Sequence, residues 1–409
     1  MPHKPPRRIA IWGYGREGRA SLAYLRGLYP DAAFAIVDSE PQDESGVEIF
    51  TGAAGEEKIT SGLFDLIVKS PGISLYKPVI TAAKNNGTAF TSATNLWFER
   101  YPAAKKLVVT GTKGKSTTAS LIHHLLAQSG VNSALGGNIG VPLLAMEPAA
   151  DITVLELSSY QIADLRHAPD VAVILNLYPE HADWHGSVER YYADKLRLAE
   201  LDLTMPVIGN EAVLITRGNV IPYSEFPAYE GMPEFFTGAH NRKNLGAALA
   251  AIDAAGFAVT DLDGALRTYK PLPHRQEVIA DINGVRWIND SISTVPETAM
   301  AALDMHARRP VTIILGGKDR GQDYTALAAR IAAHGDCRVL TLPDNGPRIA
   351  QTIPATPCET LKEAVTEAAR ITPQGGVVLL SPAAPSYGRF KNFEERGDQF
   401  RALVLALKD

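Results

Sequence analysis

Only two cysteines, Cys337 and Cys358, occur in the 409 residues, and they form no CxxC pair. That is too few for a disulfide framework, and the simplest reading is two reduced thiols in a cytosolic protein. Long apolar runs are missing too, since none reaches the ~18 residues of a membrane span. The basic start, with Lys4, Arg7 and Arg8, runs straight into a short strand-like stretch, Ile9 to Trp12. A secretory signal needs a longer apolar stretch and a cleavage site, so a cytoplasmic location and no membrane partner are expected. Basic charge is not in excess. Lys and Arg number 40 against 45 Asp and Glu, a net charge of −5. Sequence-independent nucleic-acid binding depends on basic surface, so no nucleic-acid partner is expected. Low-complexity segments and short tandem repeats are absent from the sequence.

What is present is an ordinary globular mixture, 45% hydrophobic and 21% charged, able to bury sizeable cores without staples. At roughly 100–200 residues per domain, two to four domains are expected. Short apolar strands alternate with helical stretches. Ile9–Trp12 leads to Gly13, Phe34–Val37 ends at Asp38, and Leu66–Val68 ends at Lys69-Ser70-Pro71-Gly72. A second cycle begins at Leu107–Val109, passes through the helical stretch Thr117–Gln128 and includes strands at Val154–Leu157 and Val171–Leu175. A third includes Val311–Leu315 and Val377–Leu380. This is βαβ rhythm and predicts parallel sheets. Boundaries are read near Tyr101–Pro102 and in the Pro-rich stretch from Tyr269 to Pro273. They divide the chain into three α/β domains, 1–102, 103–272 and 273–409.

Gly13-Tyr14-Gly15-Arg16-Glu17-Gly18 fits GxGxxG between a strand and a helix, and Asp38 closes the next strand. Small residues let backbone approach a phosphate at a helix N-terminus, and the acid can hold a ribose hydroxyl. A dinucleotide and a nucleotide-sugar diphosphate present the same groups, so NAD is not established by the motif. The alternative is a tight turn with a satisfied acid. A second glycine loop, Thr110-Gly111-Thr112-Lys113-Gly114-Lys115-Ser116-Thr117, lies between strand and helix as a P-loop requires. Its backbone N–H groups would cradle phosphates, Lys115 would neutralise their charge, and the Ser116 or Thr117 hydroxyl would face Mg²⁺. Val109 stands where the first glycine of GxxxxGK[ST] usually falls, so the loop is the TGTxGK[ST]T variant. Glu156 ends a strand, at the edge where ligands bind in open α/β sheets, and is a Mg²⁺-ligand candidate. His181 lies two residues from Asp183 in a strand-end loop. By composition alone Lys195 reads as a helix-surface lysine.

These segments, with KSPGIS, GGNIG, ELSSYQ, LNLYPEHADWH, GAHNRKN, LPHRQE, WINDSIST, GGKDRGQDY and SPAAPSYGRFKNFEERG, run in order along nearly the whole chain. The set resembles the Mur ligases of peptidoglycan synthesis, most narrowly the branch that adds glutamate to UDP-N-acetylmuramoyl-L-alanine. The resemblance implies a Rossmann-like N-terminal domain for the UDP group, a central P-loop ATPase-type domain and a Rossmann-like C-terminal domain. It implies Arg16, Glu17, Asp38, Ser39, Ser70 and Gly72 around the UDP-sugar, with Asn138 and His181 toward its muramoyl-alanine end. Gly111 to Thr117, Asn241, Asn244, Arg275 and Asp290 would hold ATP. Ser116, Glu156, His181 and Lys195 would serve two Mg²⁺ ions, and Lys195 matches the family lysine that is carbamylated. Lys115, His181 and Lys195 form the expected catalytic set. Thr294, Arg320, Ser386 and Phe393 match glutamate-pocket positions. A monomer acting on two small molecules is expected.

Departures from the familiar pattern cluster in that pocket. Ile292 interrupts the usual DSKAT, Arg320 stands where a lysine is common, and Ala384-Pro385 replace part of SPACAS. The first loop, GYGREG, also lacks the usual threonine. Together these changes resemble the divergent branch that adds L-glutamate rather than D-glutamate. A planar guanidinium prefers bidentate contact with carboxylate, so arginine for lysine is not neutral there. An NAD-dependent oxidoreductase built on GYGREG would leave the P-loop and Glu156 unexplained. A non-catalytic nucleotide sensor would have no need of a second metal site.

Overall fold

The computed structural model describes residues 5–210 and 219–408, so Lys4 lies outside them. The chain forms two compact units, Met1–Pro227 with Asn241–Tyr269, and Ala228–His240 with Lys270–Asp409. Among the described residues there are three sheets.

The first unit holds two of them. One consists of β1 (Arg8–Trp12), β2 (Ala33–Asp38), β3 (Glu48–Thr51), β4 (Leu66–Lys69) and β5 (Ala89–Thr91). Its order is β3-β2-β1-β4-β5, all parallel. The chain reverses direction across the sheet between β1 and β4, so a crevice opens at their carboxyl ends. The other sheet consists of β6 (Lys106–Thr110), β7 (Ser133–Gly137), β8 (Ile152–Glu156), β9 (Val171–Ile174), β10 (Pro206–Gly209) and β11 (Asn219–Pro222). It runs β11-β10-β9-β6-β8-β7, again all parallel. β6, β8 and β9 are buried along their whole length. That explains the apolar runs Leu107–Val109, Val154–Leu155 and Val171–Ile174 within them, since a parallel strand is covered on both faces. The two sheets belong to one unit because a single apolar cluster joins them. It includes Leu96 and Trp97 together with Leu22 and Leu25, and with Leu143, Leu155 and Ile174. The Trp97 indole also donates to the Met146 carbonyl at 3.1 Å.

The second unit holds β12 (Glu277–Ile282), β13 (Val285–Asn289), β14 (Val311–Gly316), β15 (Cys337–Leu342), β16 (Thr356–Pro357) and β17 (Val377–Leu380). The order is β12-β13-β17-β14-β15-β16, with β12 antiparallel to β13 and the other pairs parallel. Ala228–His240 belongs to this unit, anchored by Glu234, which pairs with Arg286 of β13. Cys337 and Cys358 are free thiols. No described helix is long and apolar enough to cross a membrane.

Candidate active site

The phosphate loop follows β6 and ends in the helix Lys115–Gln128. Two glycines are required by geometry. Gly111 has φ +145°, and a Cβ there would lie 2.9 Å from Leu175 Cβ; Gly114 has φ +85°, and its Cβ would lie 2.6 Å from Asn244 Oδ1. The loop is fixed from outside as well. The Asn176 side chain accepts from the Lys113 N–H at 2.8 Å and donates to the Lys113 carbonyl at 2.9 Å. The Thr112 hydroxyl meets the Tyr191 hydroxyl at 2.7 Å. The Lys113 ammonium pairs with Glu180 at 2.9 Å, and the Lys115 ammonium donates to the Thr112 carbonyl at 2.9 Å. The result is a preformed concave backbone at a helix N-terminus with a lysine folded over it, which is an anion cradle.

Side chains from the neighbouring strands face the same edge. Glu156 ends β8 and is buried; one carboxylate oxygen accepts from Asn138 at 3.0 Å. Its Oε2 is buried and has no hydrogen-bond partner among the described residues. A buried carboxylate oxygen left unpaired is costly, so its position calls for a ligand from outside the chain. His181 follows β9 in a left-handed conformation (φ 56°), and its Nδ1 lies 2.8 Å from the Tyr160 hydroxyl. Burial lowers its pKa, opposed by Glu180. Lys195 is no surface residue. Only 2% of it is exposed, and its Nζ donates to the Gly111 carbonyl at 2.9 Å. Burial, then the nearby charge of Lys115, pushes its pKa well below the usual lysine value.

At the crevice of the first sheet, Gly13 has φ +89° and its Cβ would lie 2.8 Å from Ser70 Cβ. The Ser70 hydroxyl donates to the Gly13 carbonyl at 2.6 Å. Asp38 accepts from the Tyr14 N–H at 2.5 Å, and the Ser39 hydroxyl donates to Asp38 at 3.3 Å. Arg16 donates to the Gly140 carbonyl, and Gly72 lies on the loop after β4. Glu17 turns inward, accepting from Gln161 at 2.9 Å. Burial pushes its pKa up to about 7 against the Gln161 hydrogen bond and Lys69. Asn241 and Asn244 are buried on the helix Ala239–Ala254.

In the second unit, Asp290 is buried after β13. It accepts from the Ser381 hydroxyl at 2.8 Å and from the Gln276 N–H at 3.1 Å, and burial raises its pKa to about 6. The Thr294 carbonyl accepts from Gln322 at 3.1 Å, and the Phe393 carbonyl accepts from Ser291 at 2.8 Å. Arg320 is exposed, Ser386 is buried and Arg275 lies on the loop before β12.

Residues 109–210 match the model of the Mur ligase middle domain, and residues 274–384 that of the Mur ligase glutamate ligase domain. A protein of Salinispora tropica named UDP-N-acetylmuramoyl-L-alanine--L-glutamate ligase is 39% identical, over 97% of this chain and 97% of its own. The chain belongs to the Mur ligase family. A protein of the same name from Xanthomonas euvesicatoria is 37% identical, over 97% of this chain and 94% of its own. Solved structures share the fold. The MurF ligase of Thermotoga maritima in complex with ADP superposes with a TM-score of 0.60 at 16% identity, covering 98% of this chain and 95% of its own. The UDP-N-acetylmuramate-alanine ligase MurC of the same organism gives 0.60 at 18% identity, covering 98% and 99%.

Within this Mur ligase, sequence reasoning missed three supports of the site. His185, fully buried, meets Asp194 at 2.5 Å and Ser159 at 3.0 Å. Tyr191 braces Thr112, as above. Arg396, 0% exposed, donates to the Ser291 carbonyl at 2.8 Å, the Ser291 hydroxyl at 3.0 Å and the Ala384 carbonyl at 3.1 Å. It ties together two of the three loops that carry the pocket substitutions, those of Ile292 and of Ala384-Pro385. Arginine in an otherwise apolar helix face, as in FEERG, was the available signal. Among the described residues no three His, Cys, Asp or Glu side chains cluster as a metal cage. Mg²⁺ is usually bound through one or two carboxylates plus phosphate oxygens and waters, and the unpaired oxygen of Glu156 beside the phosphate cradle fits that mode.

Proposed function

We propose that this Mur ligase joins L-glutamate to the L-alanyl carboxyl of UDP-N-acetylmuramoyl-L-alanine while ATP is split to ADP and phosphate. The observation that carries this reading is the edge of the second sheet. There the glycine cradle, Lys115, the unpaired oxygen of Glu156 and the buried amine of Lys195 come together. The alanyl carboxylate attacks the γ-phosphorus of ATP, the bond to the bridging oxygen breaks and ADP leaves. Lys115 neutralises charge on the transferring phosphoryl. The glutamate amine then attacks the acyl carbon, phosphate leaves with its electron pair, and the amine gives up a proton. Gly111 to Thr117 would hold the phosphates, with Asn241 and Asn244 of the same unit in the ATP set.

Ser116 and Glu156 would hold one Mg²⁺, and His181 and Lys195 the second. Bound there, the ions neutralise charge on the phosphate oxygens. Lys195 fits this role through its environment. Burial and Lys115 favour the uncharged amine, and a neutral amine that adds CO₂ and loses a proton becomes a carbamate. The product is an anion beside Lys115 in place of a repelled cation.

Arg16, Glu17, Asp38, Ser39, Ser70 and Gly72 would bind the UDP-sugar in the crevice of the first sheet, with Asn138 and His181 toward its muramoyl-alanine end. Glutamate would be held by Thr294, Arg320, Ser386 and Phe393. The names of the two relatives, with the changes at Ile292, Arg320, Ala384 and Pro385, support the L-isomer. Phosphate release measured with pure L- or pure D-glutamate tests this. The L-isomer is expected to support turnover at least tenfold faster; preference for the D-isomer would overturn the stereochemical assignment and leave the ligase reading standing.

A further inference from the structure

One chain of hydrogen bonds has no part in the reaction as described. It begins on the loop after β4, the loop that carries Ser70 and Gly72. The Tyr76 hydroxyl, on a ring 38% exposed, donates to Asp194 Oδ1 at 2.6 Å. The other oxygen of Asp194 meets His185 Nδ1 at 2.5 Å, and His185 Nε2 meets the Ser159 hydroxyl at 3.0 Å. Burial lowers the His185 pKa against the opposing effect of Asp194. The neutral ring therefore donates from Nδ1 to the carboxylate and accepts at Nε2 from Ser159. Two of its members sit on reacting elements. Asp194 precedes Lys195 on the helix Val188–Glu200, and Ser159 opens the short helix three residues after Glu156. A parallel link runs through Trp184. Its carbonyl accepts from the Ser74 hydroxyl at 2.6 Å, its indole donates to the Pro71 carbonyl at 3.0 Å, and its ring stacks on Tyr160 at 4.5 Å.

We propose that Tyr76, Asp194 and His185 are positioning residues that couple the UDP-sugar loop to the phosphoryl-transfer side chains, so that acceptor binding sets Lys195 and Glu156 for reaction. The inference rests on the ligase reading above. The physical reason is that a buried carboxylate using both oxygens has little freedom. Movement of the Tyr76 loop must either break a charge-assisted hydrogen bond or carry the Val188–Glu200 helix with it. Neither Tyr76 nor His185 touches a reacting atom in this scheme, so they act through Lys195 and Glu156.

The test compares the wild-type chain with Tyr76→Phe, which removes one hydroxyl from a partly exposed ring, and with Asp194→Asn. ADP release is followed while UDP-N-acetylmuramoyl-L-alanine, ATP and glutamate are varied in turn. ATP binding is measured with and without UDP-N-acetylmuramoyl-L-alanine. For Tyr76→Phe we expect an unchanged melting temperature, KM for the UDP-sugar within about twofold, and kcat lowered about tenfold, the range typical of lost supporting hydrogen bonds. The acceptor should tighten ATP binding in the wild type and not in Tyr76→Phe, and a wild type without that tightening would also overturn the proposal. Should Asp194→Asn fail to fold, the Tyr76→Phe result decides alone. Wild-type kcat and wild-type coupling in Tyr76→Phe would overturn the proposal while the ligase reading stands. A wild-type chain that releases no ADP with all three substrates would overturn both.

Discussion

Lys195 is a side chain built to carry a proton in a place that disfavours the charged form. It is buried against the Gly111 carbonyl with Lys115 near, and both burial and that charge lower its pKa. If the amine is carbamylated, CO₂ depletion should slow ADP release severalfold and bicarbonate should restore it. The effect should be larger on the acid side, because protonation removes the neutral amine that adds CO₂. A labelled-bicarbonate carbamate signal that disappears in Lys195→Ala checks the same point. Lys115→Ala should lower turnover by about 10²–10³-fold, the usual cost of removing a preorganised charge from a reacting centre, with ADP release as the measurement. Asp290 makes a stability prediction. Its pKa is about 6 folded against 3.8 for an unperturbed group. The ionised form is thus destabilising in the native state. The penalty is absent below the unfolded value, grows as pH rises and is complete above about 6. It amounts to at most about 3 kcal/mol at 1.36 kcal/mol per unit. Asp290→Asn should therefore raise the melting temperature at pH 7.5 and gain nothing near pH 3.5.

At the scale of elements, the apolar strands were legible because a strand covered on both faces must be apolar throughout. The stretches Leu107–Val109 and Val377–Leu380 show this, and both lie in buried strands. The hairpin of β12 and β13 was missed because charged residues, Glu277, Asp281 and Arg286, break up its apolar stretches. Its signal was Asn283-Gly284, where both residues have positive φ, as a two-residue hairpin turn requires. β5 and β16 are too short, at 3 and 2 residues, to stand out as periodic segments. The loops after β13 and β17 depend on Arg396, whose pKa burial lowers to about 9. Holding a guanidinium there is costly, yet removing it takes the donor from two buried carbonyls, those of Ser291 and Ala384. The second cost is larger, so Arg396→Ala should destabilise by about 3 kcal/mol or more, measured by urea unfolding.

For the whole molecule, the glycine loops, Glu156 and the order of the sheets could be read from local pattern. Lys195 could not. Its partners Gly111 and Thr110 are 84 and 85 positions away, and only the resemblance to the Mur ligases marked it. The Tyr76–Asp194 link spans 118 positions and carries no motif at all. Long-range contacts of this kind arise from packing two sheets into one unit, which no local pattern encodes. The account rests on one chemical event, transfer of phosphate from ATP to the alanyl carboxyl. The measurement that tests it most directly uses UDP-N-acetylmuramoyl-L-alanine labelled with heavy oxygen in that carboxyl, turned over with ATP and L-glutamate. The account predicts that the inorganic phosphate released acquires one labelled oxygen for each amide formed. Amide formed with unlabelled phosphate would contradict it.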